Sequence, residues 1–402
     1  MVEPLLLVGL IVAGFVAYNI GGATTGPAFA PAVGAAVISK TGAAALMSVF
    51  FFIGAFTIGR RVVDTLGVEL VHDPGVFTLW ASIVVLFFIG GALFVGNVFG
   101  VPASTSMTAV GSIAGLGLAT GELNWAVMGE IVSWWIVAPI IGFWIAGVIG
   151  RYFYLRIDRF IAINQTEGAL VELDRSGAVP RPVAGPNTTR RELVGSITVI
   201  VIGCLMAFSS GTSNIANAIA PLVGSGELEM NVGILIGSAA VAVGAFTIAR
   251  RTMETLGNDI TDLPLTAAIV VAVISSVIVV LLSAIGIPAS FVVIATMSII
   301  GLGWGRATRT TTAREGVRGE KPTRVSVGAL AADEEAPTVG DPAKPGEEDP
   351  QPIGTEEPED IPAASDLFDP SSTARVIIMQ NVVPIFATVG SYATFLVAFR
   401  FF

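Results

Sequence analysis

Charged residues are few in this sequence: 13% of its 402 residues, against about 25% in an ordinary soluble domain. The deficit falls in blocks. Apolar runs near the length that crosses a bilayer core recur at 5–20, 77–98, 125–149, 193–208, 265–285 and 376–402. A soluble core has room for one such run, not for a series, so a soluble fold is excluded. Lysine is limited to Lys40, Lys321 and Lys344. Cys204 is the only cysteine, which rules out an intrachain disulfide. The only histidine, His72, stands in a short loop before Pro74. With one residue of each kind, neither a metal centre nor a nucleophile–base pair can be assembled, and no enzymatic activity is expected. A basic leader is also missing. The first apolar run follows Glu3 directly and is expected to be a retained helix rather than a cleaved signal.

The formal charge of −10 is concentrated in residues 332–367, with runs such as Asp333-Glu334-Glu335 and Glu356-Glu357-Pro358-Glu359-Asp360. This polar, Pro-rich stretch reads as a solvated, disordered loop. Loops so acidic and so poor in lysine suit a high-salt habitat.

What is present is an internal repeat. Gly54-Ala55-Phe56-Thr57-Ile58-Gly59-Arg60-Arg61 and the following Thr65-Leu66-Gly67 recur as Gly244-Ala245-Phe246-Thr247-Ile248-Ala249-Arg250-Arg251 and Thr255-Leu256-Gly257. Pro31, Val33 and Gly34 match Pro221, Val223 and Gly224 at the same offset. Further on, Gly100-Val101-Pro102-Ala103-Ser104 matches Gly286-Ile287-Pro288-Ala289-Ser290, and Pro139 resembles Pro384. Two related halves rich in membrane segments are the mark of a secondary transporter. The expected organisation is a first transmembrane repeat at 1–150, a basic cytoplasmic linker at 151–190, a second repeat at 191–304, an acidic disordered insertion at 305–372 and a last helix at 373–402. Arg151, Arg156, Arg159, Arg181, Arg190 and Arg191 put the linker on the cytoplasmic side by the positive-inside rule. The residues themselves leave open whether the halves are parallel or inverted. Arg60-Arg61 and Arg250-Arg251 mildly favour parallel, although arginines snorkel at either face.

Two pairs of polar stretches interrupt the apolar runs. One pair is Asn19–Pro27 and Ser209–Asn217; the other is Gly100–Ser106 and Gly286–Ser290. Gly, Pro and small polar residues loosen a helix, and unpaired backbone groups are tolerated at membrane depth only beside protein or a water-filled cavity. A half-helix start offers free N–H groups and the positive end of a dipole, which together bind an anion without a buried arginine. Small residues also serve helix crossings in any bundle. The recurrence of both kinds of break in both halves favours a binding site.

At these residues the chain resembles the inorganic phosphate transporter (PiT) family. The stretch 208–222 is similar to the signature Gly-x-Asn-Asp-x-Ala-Asn-Ala. The stretch 99–106 is similar to the box Gly-x-Pro-x-Ser-Thr-Thr-His, and 130–139 to the helix motif Ser-Trp-x-x-Ser-Pro. The likeness covers everything except 151–190 and 305–372. It implies an all-α polytopic protein with two inverted-topology repeats and broken or re-entrant helices, a midplane phosphate site, coupling to sodium or protons, and often a homodimer. Carried over by position, Ser213, Asn214 and Asn217 take the signature's Asn, Asp and Asn places, and Ala23, Thr24 and Pro27 fall there in the first half. Ser104, Thr105 and Ser106 hold the Ser-Thr-Thr places, with Met107 at the His; in the second half Ser290 remains. Both signature Asp residues are therefore replaced, by Thr24 and Asn214.

The expected function is a cation-coupled phosphate transporter of the cell membrane, with sodium favoured over protons. A permease for sulfate or another tetrahedral oxyanion is the alternative, and an anion channel a more distant one. The expected substrate-binding residues are Thr24, Ser104, Thr105, Ser106, Ser213, Asn214, Asn217 and Ser290, with Thr24 and Asn214 also facing the coupling cation. Glu130 is the one acid well inside an apolar helix, a candidate for a proton or sodium step or simply an acid near a helix start. The expected partners are the oxyanion and the lipid bilayer, with no cofactor and no nucleic acid.

Overall fold

The computed structural model describes residues 4–34, 37–98, 104–161, 171–174, 181–184, 190–259, 265–307 and 370–401. The described residues are almost wholly helical. The first half consists of α1 (Pro4–Gly34), α2 (Lys40–Glu69), α3 (Leu79–Val98), α4 (Thr105–Thr120) and α5 (Trp125–Tyr152). A short α6 (Tyr154–Ile161) and a hairpin of β1 (Val171–Asp174) and β2 (Arg181–Ala184) lie in the linker. The second half repeats the pattern with α7 (Arg190–Gly224), α8 (Met230–Asp259), α9 (Leu265–Ala284), α10 (Phe291–Ala307) and α11 (Pro370–Phe401). Among the described residues, eight helices are long and apolar enough to cross a membrane; α4 and α10 are not among them. The protein is a multi-pass membrane protein. Most of the acidic insertion lies outside the described residues.

Two spans, Lys40–Glu69 and Met230–Ile248, are absent from the apolar runs read above. Arg60 and Arg61 interrupt the first, and π-turns at Ala55–Gly59 and Thr65–Glu69 keep it helical through them. Arg61 Nη1 donates to the Ala284 carbonyl (2.9 Å), capping α9, and Arg60 donates to Asn231 at the start of α8. These arginines tie the two halves together.

The halves pack as images of each other. A Cβ added at Gly54 would lie 2.1 Å from the Phe208 carbonyl oxygen, and one at Gly244 would lie 2.1 Å from that of Tyr18. Gly21 meets the Val241 carbonyl in the same way that Gly211 meets that of Phe51. In the second layer, Gly115 meets the Thr388 carbonyl as Gly301 meets that of Phe143. Each pair becomes the other under the repeat offset. Only glycine permits such close backbone contact, which explains why the glycines recur. The counterparts α1 and α7 run antiparallel: Gly9 lies against Leu222, and Phe29 against Gly203.

These contacts correct one expectation. The stretches 19–27 and 209–217 do not break their helices, because α1 and α7 run through them without interruption. Thr24, Thr25 and Thr212 spend their hydroxyls on carbonyls of their own helices. The glycines admit the neighbouring helix instead of opening the backbone. Of the other pair, Gly286–Ser290 breaks the chain between α9 and α10, and Ser104 stands just before α4, while 99–103 lie outside the described residues.

The break after α9 is closed by a defined motif. Ile287 N–H donates to the Leu282 carbonyl (2.9 Å), Gly286 N–H donates to that of Ser283 (3.0 Å), and Gly286 has φ +86°. This Schellman arrangement needs a left-handed residue, which glycine supplies without strain. The loop between α4 and α5 is tied to the residues that follow α2. Asn124 N–H donates to the Leu70 carbonyl and His72 N–H to that of Glu122.

Candidate functional site

The second halves of both broken pairs begin on a serine cap. Ser104 is extended (φ −73°, ψ 103°), and its hydroxyl accepts from Met107 N–H (3.3 Å). The Ser290 hydroxyl accepts from Val293 N–H (3.4 Å) at the start of α10. An N-cap satisfies one of the backbone donors that a helix start leaves free; others in the first turn have no partner within the helix.

Between the two starts runs α7, which presents Ser210, Ser213, Asn214 and Asn217. This is the i, i+3, i+4, i+7 spacing that lines one helix face. Thr105 Oγ1 donates to Asn214 Oδ1 (2.6 Å), and Asn217 Nδ2 donates to the same oxygen (3.1 Å). Asn214 Nδ2 donates to Ser210 Oγ (3.0 Å). The hydroxyls of Ser106 and Ser213 lie 3.2 Å apart and both donate to the Ala289 carbonyl, at 3.0 and 2.8 Å. One polar network thus joins α4, α7 and the break before α10, drawing on both halves.

The network is dry. Ser104, Ser106, Ser213, Asn214, Asn217 and Ser290 are all buried, and Thr105 is half-buried. Among the described residues, the buried polar side chains are Ser, Thr, Asn and Gln; none carries a charge. Positive potential here comes from helix starts and hydroxyl donors. Asn217 Oδ1 is buried without a hydrogen-bond partner, a free acceptor at the centre of the network. Beside Ser290 lies a small crevice walled by Met107, Trp134, Trp135, Pro139, Ala289 and Ile294.

Of the residues expected from sequence, seven come together here. Thr24 does not join them. It is half-buried on α1, and its hydroxyl donates to the Ile20 carbonyl (2.7 Å). No hydrogen bond links it to Asn214, its expected cation partner. Glu130 is exposed in the second turn of α5, away from the network. No cluster of His, Cys, Asp or Glu able to hold a metal occurs among the described residues. Sequence reasoning missed Ser210, the Ala289 carbonyl and Trp135, whose indole N–H donates to the Pro288 carbonyl (2.8 Å). The stripe spacing could have found Ser210, and Trp135 stands in the stretch 130–139 likened to a family motif; nothing local could have found the Ala289 carbonyl.

The sequence pattern of the phosphate transporter family matches residues 20–328. The chain belongs to the phosphate transporter family. It is a membrane transporter, not an enzyme. Among its relatives is the sulfate permease CysP of Bacillus subtilis, 29% identical over 293 residues, which span 73% of this chain and 75% of that one. A putative phosphate permease of Chlamydia muridarum is 26% identical over 394 residues, covering 75% and 90%. The fold matches a solved structure titled "The sodium-dependent phosphate transporter" with a TM-score of 0.63 over 99% of this chain and 100% of that one, at 18% identity.

Proposed function

We propose that this transporter carries inorganic phosphate across the cell membrane, coupled to sodium, by alternating access between its two halves. The observation that carries the reading is the meeting of two serine-capped helix starts, at Ser104 and Ser290, on the Ser213–Asn214–Asn217 face of α7. Hydroxyl donors and helix dipoles, with no buried basic residue, can surround a tetrahedral oxyanion and still release it. Because Ser106 and Ser213 now donate to a carbonyl, an arriving anion takes over donors that already point inward. Antiparallel α1 and α7 support an inverted arrangement of the halves about a midplane site. Sodium fits the free Asn217 oxygen, since hard cations take oxygen ligands, and a fold neighbour's title names sodium dependence.

Sulfate is the second reading. A relative that spans most of the chain is a sulfate permease, and sulfate, unlike hydrogen phosphate, needs no acceptor for a proton. The test is uptake of labelled phosphate and sulfate into proteoliposomes under separate sodium and proton gradients. Saturable phosphate uptake driven by sodium supports the proposal. Sulfate uptake without phosphate uptake moves the assignment to the second reading.

A further inference from the structure

We infer that Trp135 is the positioning residue of the oxyanion site, through the hydrogen bond from its indole N–H to the Pro288 carbonyl. This rests on the proposed function for its transport readout only.

Residues Pro288, Ala289 and Ser290 join the Schellman end of α9 to the first turn of α10. Only Ser290 is held by a helix: its carbonyl accepts from Ile294 N–H (3.3 Å) and its hydroxyl from Val293 N–H (3.4 Å), both on α10. Pro288 has no N–H to give. Its carbonyl is held by Trp135 on α5 (2.8 Å). The next carbonyl, of Ala289, is held by Ser106 on α4 and Ser213 on α7, and Ala289 N–H donates to Ser213 Oγ (3.3 Å). The strap is therefore pinned by side chains from two sides: the serines from within the network, and Trp135 from the crevice.

The two anchors differ in what substrate does to them. An anion that takes donors from Ser106 and Ser213 releases Ala289 at the moment of binding. The Trp135 bond lies outside the network and survives that exchange. It then fixes the orientation of the peptides carrying Ala289 and Ser290, and with it the aim of α10's free N–H groups. The Trp135 ring also walls the crevice with Met107, which is capped by Ser104, and with Ser290 itself. One side chain thus lines the same crevice as residues from both helix starts.

The experiment compares wild type with Trp135→Phe, which keeps an aromatic ring in the crevice and loses the donor, and Trp135→His, which restores a ring N–H. Phosphate uptake and amide hydrogen exchange at residues 289–293 are measured for each. Trp135→Phe should raise KM about fivefold, the worth of one net hydrogen bond, with maximal rate within about twofold. Its amides at 289–293 should exchange faster, and Trp135→His should return both readouts part of the way. Unchanged exchange in Trp135→Phe overturns the inference, as does a Trp135→His variant impaired to the same degree as Trp135→Phe. If wild type carries neither phosphate nor sulfate, the proposed function falls, while the exchange comparison still decides the role of Trp135.

Discussion

Thr105 and Asn214, 109 residues apart in sequence, share a 2.6 Å hydrogen bond in which the threonine hydroxyl donates to the amide oxygen. The bond joins the first residue of α4 to the middle of α7, and so one half of the transporter to the other. It also bears on the missing carboxylates. Asn214 Oδ1 accepts from both Thr105 and Asn217, as a carboxylate oxygen would. Only the bond to Ser210 would reverse, with the serine hydroxyl donating. Asn214→Asp is therefore expected to fold.

The consequence for coupling can be measured. Each lost carboxylate removes a full charge from a low-dielectric site, where charges interact strongly. Sodium affinity should be poor without anion and improve with it, and linkage makes that improvement reciprocal. Calorimetry on wild type and Asn214→Asp, with and without phosphate, checks this. The variant should bind sodium in the absence of anion. Tight sodium binding by wild type alone would sink the account of the missing carboxylates.

Topology can be read with single cysteines in a Cys204→Ala background, since Cys204 is buried. Lys40 starts α2 and Glu227 lies just before α8, its counterpart. In an inverted arrangement Lys40→Cys and Glu227→Cys react with impermeant reagents from opposite faces. Glu122→Cys, in the loop tied to the end of α2, reacts from the same face as Glu227→Cys. In a parallel arrangement positions 40 and 227 are labelled from one side.

Glu229 gives the fold a pH dependence. Its carboxylate accepts from Asn231 N–H (3.1 Å), Asn231 Nδ2 (2.6 Å) and Val232 N–H (3.2 Å) at the start of α8. The Asn231 backbone bond is the main force holding its pKa below the ordinary glutamate value. Because the folded-state pKa lies below the unfolded one, the stabilisation is complete above the ordinary pKa. It is lost as pH falls through the depressed value. Thermal melts should therefore show a small acid-side loss in wild type that is missing in Glu229→Gln.

The segment at 308–369 has no counterpart in the first half and no apolar periodicity. Replacing it with a shorter Gly/Ser linker should leave transport within about twofold, as expected of a polar stretch without apolar periodicity. Complete loss in a correctly inserted protein would make it a working part.

The repeat was legible because its glycines do the same work in both halves: Gly54 and Gly244 each meet a carbonyl of the opposite half. The breaks at Gly100–Ser104 and Gly286–Ser290 were legible because Gly and Pro punctuate locally. Asn19–Pro27 and Ser209–Asn217 were misread because the residues that loosen an isolated helix also let two helices touch. Only the neighbour decides which applies. Seven of the expected residues, picked out by motif likeness, lie in or beside the one buried network. Trp135 stands in the stretch 130–139 likened to the family's helix motif but was given no role, because its partner lies 153 residues away.

The central claim is that the Ser104–Asn217 network binds a tetrahedral oxyanion. The most direct measurement is saturable phosphate and sulfate uptake by wild type and by Ser104→Ala/Asn217→Ala, alongside thermal melts of both. The first change removes the cap of α4, at a cost of about 1 kcal/mol; the second removes the free central acceptor and its donor. The account predicts saturable uptake by wild type and none by the double variant, with both proteins folded. Saturable uptake at the wild-type rate by the double variant would contradict it.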